Sequence, residues 1–158
     1  METPDFIDFK VIDLPELGES LKYLAKRGIE IEASTSSKQL LVLYKEGSGE
    51  GFLHDILKAC GYAEPSEEAW LIPWPAEQAL DLTAMVRHLA CDKVMLFGQQ
   101  LPNLGLHLNL GHYSSVKISD VWYVKADDLD TIRDEKNAGK TQKAAALWQA
   151  LKTHFKRE

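Results

Sequence analysis

The chain has 158 residues and 45% of them are hydrophobic, which fits one globular domain and excludes a disordered chain. Its apolar runs are all shorter than the roughly 20 residues that a membrane-spanning helix needs. The first five residues are acidic and show no signal-peptide pattern, so we expect a cytoplasmic protein that does not bind membranes. Cys60 and Cys91 are expected to be buried free thiols rather than disulfide partners or metal ligands.

The net charge of −6 is unevenly distributed along the chain. Residues 1–132 carry 11 Lys and Arg against 21 Asp and Glu, whereas residues 133–158 carry 7 against 3. A mostly acidic surface opposes adhesion to nucleic acid, so direct nucleic-acid binding is expected to be weak or absent. The basic end could touch phosphate, but it also suits the solvated C-terminal end of a helix, where cations complement the dipole.

The first elements of the chain are an apolar arm and a helix. The arm alternates apolar and polar residues, which predicts an edge strand, a cover for the core or an extended partner-binding segment. Its apolar residues are Phe6, Ile7, Phe9, Val11, Ile12 and Leu14. The spacing of Leu17, Leu21 and Leu24 predicts a helix that stops at Gly28. We expect residues 1–33 to pack on or precede the core, and residues 34–158 to form a single domain.

Short apolar runs then alternate with helical patterns, which favours a parallel sheet covered by helices. The predicted strands are Leu40–Tyr44, Trp70–Ile72, Val94–Phe97 and Val121–Val124. The predicted helices carry Phe52 to Cys60, Ala79 to Leu89, and Lys143 to Phe155. This order predicts a three-layer α/β/α fold with a mostly parallel central sheet.

The turn Gly47-Ser-Gly-Glu-Gly51 lies between a predicted strand and a predicted helix, which is the place of a phosphate-binding loop. It lacks the lysine and hydroxyl residue of a P-loop, and its glycines alternate strictly. A tight structural turn is therefore the favoured interpretation.

Other candidate chemistry is sparse. His107 and His112 lie in one loop without further metal ligands at a suitable spacing, so we predict neither a metal site nor a cofactor. No G-x-S-x-G elbow is present. Asp127 and Asp128 are adjacent on the chain, which is more typical of a helix cap followed by a first-turn acid than of a catalytic pair.

Two tryptophans carry opposite predictions. Trp148 recurs with Ala144, Leu151 and Phe155 on one helical face and is expected to be buried. Trp74 lies between two prolines at a strand end and is a candidate for an exposed, functional aromatic residue.

From about Leu40 to Phe155, the order of elements resembles the uracil-DNA glycosylase superfamily. The similar elements are Leu40–Tyr44, Phe52 to Cys60, Trp70–Ile72, Val94 to Gly98, and Lys143 followed by Trp148. The resemblance implies a glycosylase-like α/β fold, with functional groups at the strand ends.

The residues that such an enzyme needs differ here. Glu46-Gly47 resembles a truncated water-activating loop, and Val124-Lys125-Ala126-Asp127 stands where a His-Pro-Ser motif is expected. Pro73-Trp74 replaces the uracil-reading asparagine. The resemblance therefore implies a degenerate site, whose candidate residues are Glu46, Gly47, Trp74, Gly98, Lys125 and Asp127.

The psi-subunit family of bacterial DNA polymerase III is similar in two stretches. One is Phe52-Leu-His-Asp-Ile-Leu-Lys-Ala59, and the other runs from Asp128 to Leu151. This resemblance implies a non-catalytic protein-binding accessory in DNA replication, whose partners are clamp-loader or polymerase subunits and whose arm binds a partner.

Two alternatives stay open. One is a divergent glycosylase or nucleotide hydrolase that uses Glu46, Asp127 or Asp128. The other is a nucleotide or small-molecule binder that uses the strand ends at Glu46, Trp74 and Gly98, the usual ligand edge of an open α/β sheet.

Overall fold

The computed structural model describes residues 14–31, 38–47 and 49–157. The helices are α1 (Leu17–Lys26), α2 (Glu50–Ala59), α3 (Pro65–Glu68), α4 (Leu82–Leu89), α5 (Leu129–Asn137) and α6 (Gln142–His154), with a 3₁₀ helix at Leu101–Leu104. The strands are β1 (Leu40–Lys45), β2 (Ala69–Trp74), β3 (Lys93–Phe97), β4 (Ser115–Ile118) and β5 (Val121–Ala126). In these described ranges, no helix is both long and apolar enough to cross a membrane.

The five strands form one sheet in the order β2-β1-β3-β5-β4. The pairs β1–β2, β1–β3 and β3–β5 are all parallel, whereas β4 pairs with β5 in the antiparallel direction. The predicted α/β fold with a mostly parallel sheet is therefore confirmed. The apolar runs that become β1 and β3 are central strands with both faces covered, whereas the run that becomes β2 lies at one edge of the sheet.

Strand β4 was not predicted, since the sequence places this stretch in a polar loop. Its four residues are exposed or half-buried, and none of them belongs to the fully buried core. A two-residue turn joins β4 to β5, and its residues Ser119 and Asp120 have φ of +51° and +65°. Two successive positive φ values are typical of the type I′ turn, which usually contains Asn or Gly, so the hairpin signal was weak.

The sheet separates two apolar layers. Along β1, Leu41 and Leu43 face the layer that contains α1 and α4, whereas Leu40, Val42 and Tyr44 face the layer that contains α2, α5 and α6. This alternation follows the two-residue period of a strand. Cys60 and Cys91 are buried free thiols, one in each layer, as predicted.

Trp148 is 38% exposed, so the prediction that it is buried is wrong. Leu147, Leu151 and Phe155 of the same helix are buried against the sheet. Residues spaced by four advance about 40° around a helix, so these three form a slowly turning stripe. Trp148 lies at one margin of that stripe, next to α2.

Candidate functional site

The strands β1, β2, β3 and β5 end at one edge of the sheet, called here the carboxyl edge. The chain leaves β1 for β2 on one side and returns to β3 on the other, which makes a topological switch point between β1 and β3. Five of the six predicted pocket residues end a strand or closely follow one at this edge: Glu46, Gly47, Trp74, Gly98 and Asp127. Glu46 N–H donates to the Trp74 carbonyl at 3.3 Å, and Gly98 N–H donates to the Ala126 carbonyl at 3.1 Å.

The switch point is closed by packing at Gly98. This glycine has φ of +67°. A Cβ at this position would lie 2.7 Å from Asp128 Cβ and 3.3 Å from Lys45 Cβ. Gly98 is therefore required because the backbone after β3 passes close to both neighbouring strand ends.

Trp74 is buried with 0% exposure, so the interpretation of this residue as an exposed aromatic group is wrong. Its Nε1–H donates to the Gln78 carbonyl at 2.9 Å, and its ring meets Tyr23 edge-on with centroids 5.2 Å apart. Gln99 Nε2 donates to the Trp74 carbonyl at 3.1 Å. The prolines on either side misled the sequence interpretation, because the residues that cover Trp74 come from distant parts of the chain.

The acids of the carboxyl edge are paired. Glu46 forms an ion pair with Arg27. Asp127 accepts a hydrogen bond from the Tyr113 hydroxyl at 2.6 Å and lies 3.7 Å from Lys143 Nζ, which also lies 2.7 Å from Glu135. Burial, followed by the hydrogen bond to Asp127, raises the pKa of Tyr113 above its ordinary value. The hydrogen bond to Glu135 likewise raises the pKa of Lys143.

The glycine turn after β1 points a donor at a carboxylate. Gly49 N–H donates to Asp130 Oδ1 at 2.8 Å, and a Cβ on Gly49 would lie 2.6 Å from Arg133 Nη1. Asp130 therefore occupies the position near the start of α2 where a phosphate oxygen could otherwise accept. This hydrogen bond within the chain favours a structural turn over a phosphate-binding loop.

Asp128, rather than Asp127, caps α5. Its Oδ1 accepts from Thr131 N–H at 2.8 Å, and Asp130 is the acid in the first turn. The predicted cap and first-turn acid are therefore present, shifted along the chain.

Lys125, the sixth predicted pocket residue, is the penultimate residue of β5 and therefore also lies near the carboxyl edge. Because residues two apart in a strand share a face, Lys125 lies on the face of β5 that carries Tyr123 and opposite to the face of Val124. There it lines an open depression of about 580 Å³ beside the loop of residues 100–110. Exposed His107 lies in the same depression, and exposed His112 lies beyond the loop. Among the described residues, no group of three His, Cys, Asp or Glu side chains could hold a metal ion.

A second surface, which the sequence did not predict, is an apolar groove of about 160 Å³ between α2 and α6. We call it the α2–α6 groove; its apolar lining is Phe52, Ile56, Ala59, Ala144, Leu147, Trp148 and Leu151. Asp55 and Lys136 also line it. The sequence does contain a signal for this groove. Phe52, Ile56 and Ala59 form a second apolar row on α2, in addition to the buried Leu53 and Leu57 that pack in the core.

Two lysines flank the aromatic side chains of the α2–α6 groove. Lys156 Nζ lies 5.3 Å from the Trp148 ring centroid, and Lys136 Nζ lies 5.9 Å from that of Phe52. Cations at such distances over an aromatic face are weakly attracted to it. The two aromatic rings of the groove thus each have a positive charge nearby.

The predicted partner-binding residues Phe6, Ile7, Phe9, Val11 and Ile12 lie outside the described residues. Leu14, the last residue of the arm, is described and half-buried. It packs so closely on Gly105 that a Cβ there would lie 2.6 Å from Leu14 Cδ1. The end of the arm is therefore in contact with the domain.

The sequence and the structure of the chain were compared with known proteins. No protein-family model, no curated protein sequence and no solved structure matches it. The fold itself is an α/β fold with a five-stranded, mostly parallel sheet in the order 2-1-3-5-4.

Proposed function

We propose that this chain is a non-catalytic protein-binding module that serves as an accessory in bacterial DNA replication. The observation that carries the proposal is the half-exposed Trp148 in the α2–α6 groove. Large exposed apolar side chains that line a groove are typical of protein–protein contacts, where tryptophan is over-represented among the residues that dominate affinity.

The form of the groove favours a helical segment of the partner. Two helices supply its walls, and its aromatic anchors Phe52 and Trp148 come from different walls. An amphipathic helix inserts its apolar face into such a groove through side chains spaced by three or four residues. Asp55 and Lys136 in the lining carry opposite charges, which would orient the partner helix.

The carboxyl edge supports a non-catalytic role. A glycosylase needs a group that orients water and donors that stabilise the leaving base, in a pocket for a flipped nucleotide. Here Glu46 is paired with Arg27, Asp127 is held by Tyr113 and Lys143, and Gly98 fills the switch point. These contacts leave the candidate acids engaged in holding the fold.

The class of partner rests on the resemblance to the psi-subunit family. Clamp-loader and polymerase subunits are the proposed partners, and residues 6–12 of the arm are proposed as a second contact. The arm is apolar and acidic, and such segments can order on binding.

Reconstitution with purified subunits tests this proposal. We expect the full chain to co-elute with the clamp-loader or polymerase subunits of the same organism in size-exclusion chromatography. Trp148→Ala should abolish or weaken co-elution, whereas Gln149→Ala, an exposed neighbour outside the groove, should not. Failure of the wild-type chain to bind any of these subunits would contradict the proposal.

An activity assay tests the enzymatic alternative. The purified chain is expected to release no uracil from single-stranded or double-stranded DNA. Release that disappears in Glu46→Ala or Asp127→Ala would contradict a non-catalytic role, because it would assign a chemical function to the paired acids of the carboxyl edge.

A further inference from the structure

We infer that a basic pocket at the opposite, amino edge of the sheet binds a compact oligophosphate, such as the phosphate chain of a nucleotide. The pocket has a volume of about 420 Å³, within the range of small-ligand sites. Four lysines line it: Lys93, Lys117, Lys152 and Lys156. This site lies at the other end of the strands from the carboxyl edge, and its lining residues differ from those of the α2–α6 groove, although Lys156 also lies over the Trp148 ring.

The positive charge of the basic pocket comes from separate elements. Lys93 begins β3, Lys117 lies on β4, and Lys152 lies in the last turn of α6. The helix dipole accounts for a cation near the end of α6. It does not account for Lys93 and Lys117, which are on strands, so their convergence on one pocket is a separate observation.

The acids in the pocket neutralise only part of this charge. Asp92 and Asp120 are its two carboxylates, against four lysines. Asp92 Oδ1 lies 3.2 Å from Lys93 Nζ. Asp120 is fully exposed and lies 4.0 Å from Lys117 Nζ, where solvent screens the interaction. The local excess of positive charge contrasts with the net charge of −6 for the whole chain.

An aromatic wall stands beside the lysines. The rings of Trp122 and His154 stack, with centroids 3.6 Å apart and 11° between their planes. Lys117 Nζ lies 6.0 Å from the Trp122 centroid. The stack joins β5 to α6 and holds the two sides of the pocket together, so the lysines are presented on a packed frame.

The ligand chemistry follows from the charges. Lysine ammonium groups bind phosphate as point charges, and several of them around one pocket match several closely spaced phosphates. A long polyanion would also meet the acidic remainder of the surface, which repels it. A compact oligophosphate gains the attraction of the pocket without that repulsion.

Calorimetric titration of the full chain with sodium triphosphate at low ionic strength tests the inference. The test variant is Lys117→Gln/Lys152→Gln, which removes two charges from the pocket and leaves the α2–α6 groove intact. The control is Lys22→Gln/Lys26→Gln, which removes two exposed charges from α1 on the other side of the sheet. We expect the test variant to lose about tenfold or more in affinity, because charge-assisted contacts are lost, and the control to bind like the wild type.

Absence of triphosphate binding, or an equal loss in both variants, would overturn the inference. Tighter binding of a short oligothymidylate than of triphosphate would also overturn it, because the ligand would then not be compact. Titration with ATP separates the two sources of the phosphate chain. Tighter binding of ATP than of triphosphate supports a nucleotide, and equal binding supports a free oligophosphate.

Discussion

The carboxyl edge and the α2–α6 groove use their tryptophans in opposite ways. Trp74 at the carboxyl edge is fully buried, whereas Trp148 in the groove is 38% exposed. Trp74 has a hydrogen-bond acceptor for its indole N–H and an aromatic neighbour, Tyr23. The ring of Trp148 is met by the exposed Lys156. Polar and aromatic residues at the usual ligand edge are thus engaged within the fold, whereas the α2–α6 groove leaves a large apolar side chain exposed between two helices.

This difference shows why the position of residues along a sheet does not by itself identify a site. Asp127, Asp128 and Asp130 follow β5 at an edge where ligands commonly bind. Each of them accepts a hydrogen bond within the protein: Asp127 from Tyr113 O–H, Asp130 from Gly49 N–H, and Asp128, as a helix cap, from Thr131 N–H. Acids engaged in this way stabilise loops and helix ends.

The largest expected effect on stability is at Trp74, the buried tryptophan of this comparison. Trp74→Ala removes a fully buried side chain that packs on Tyr23. The free energy of unfolding should fall by about 3–5 kcal/mol, because transfer energy is lost and a cavity forms. Chemical denaturation measures this change. A loss below about 1 kcal/mol would mean that Trp74 is not part of the core of this edge.

A second substitution examines whether the carboxyl edge is closed. Gly98→Ala adds a methyl group 2.7 Å from Asp128 Cβ at a φ of +67°, so we expect a loss of about 1–3 kcal/mol in unfolding free energy. Gly47→Ala is the matched control, since Gly47 has a φ of +83° but none of the described residues places an atom within 4 Å of the added Cβ. Equal losses for both variants would show that strain alone matters and that the edge has room.

A structural feature of this protein can be predicted from the sequence when the residues that determine it are close together along the chain. The run Leu40–Tyr44 identifies a central parallel strand because burial on both faces leaves no polar positions. The edge strand β4 has no such signal. The burial of Trp74 depends on Tyr23 and Gln99, which are distant in sequence. Trp148 shares the helical period of the core residues, and only the position of α2 decides that it faces the groove.

Each apolar layer contains one buried thiol, so the stability of the protein at alkaline pH reports on both layers. Burial raises the pKa of Cys60, in the layer of α2 and α6, to about 11. Burial, followed by the charge of Asp92, raises the pKa of Cys91, in the layer of α1 and α4, to about 12. An unfolded thiol ionises at lower pH, so this stabilisation is complete below about pH 9 and is lost as the pH rises through the folded pKa.

Denaturation midpoints at pH 8 and pH 10 therefore test the thiols. Stability should fall over this interval, and Cys60→Ala and Cys91→Ala should each flatten the fall by a similar amount, because both folded pKa values lie above pH 10. Each alanine variant also loses packing, but that loss is the same at both pH values. A fall as steep in Cys91→Ala as in the wild type would contradict the assignment.

The smallest expected effect on stability is at Trp148, and the same residue tests the central claim. Because this side chain is 38% exposed, Trp148→Ala should lower the free energy of unfolding by only about 1 kcal/mol. The decisive measurement is the affinity of the wild type and of Trp148→Ala for the partner subunit that co-elutes with the chain. We expect a loss of about 2 kcal/mol or more in binding free energy, as for a central aromatic contact, with Gln149→Ala unchanged. Equal affinities of the wild type and Trp148→Ala would contradict the claim that the α2–α6 groove is the binding surface.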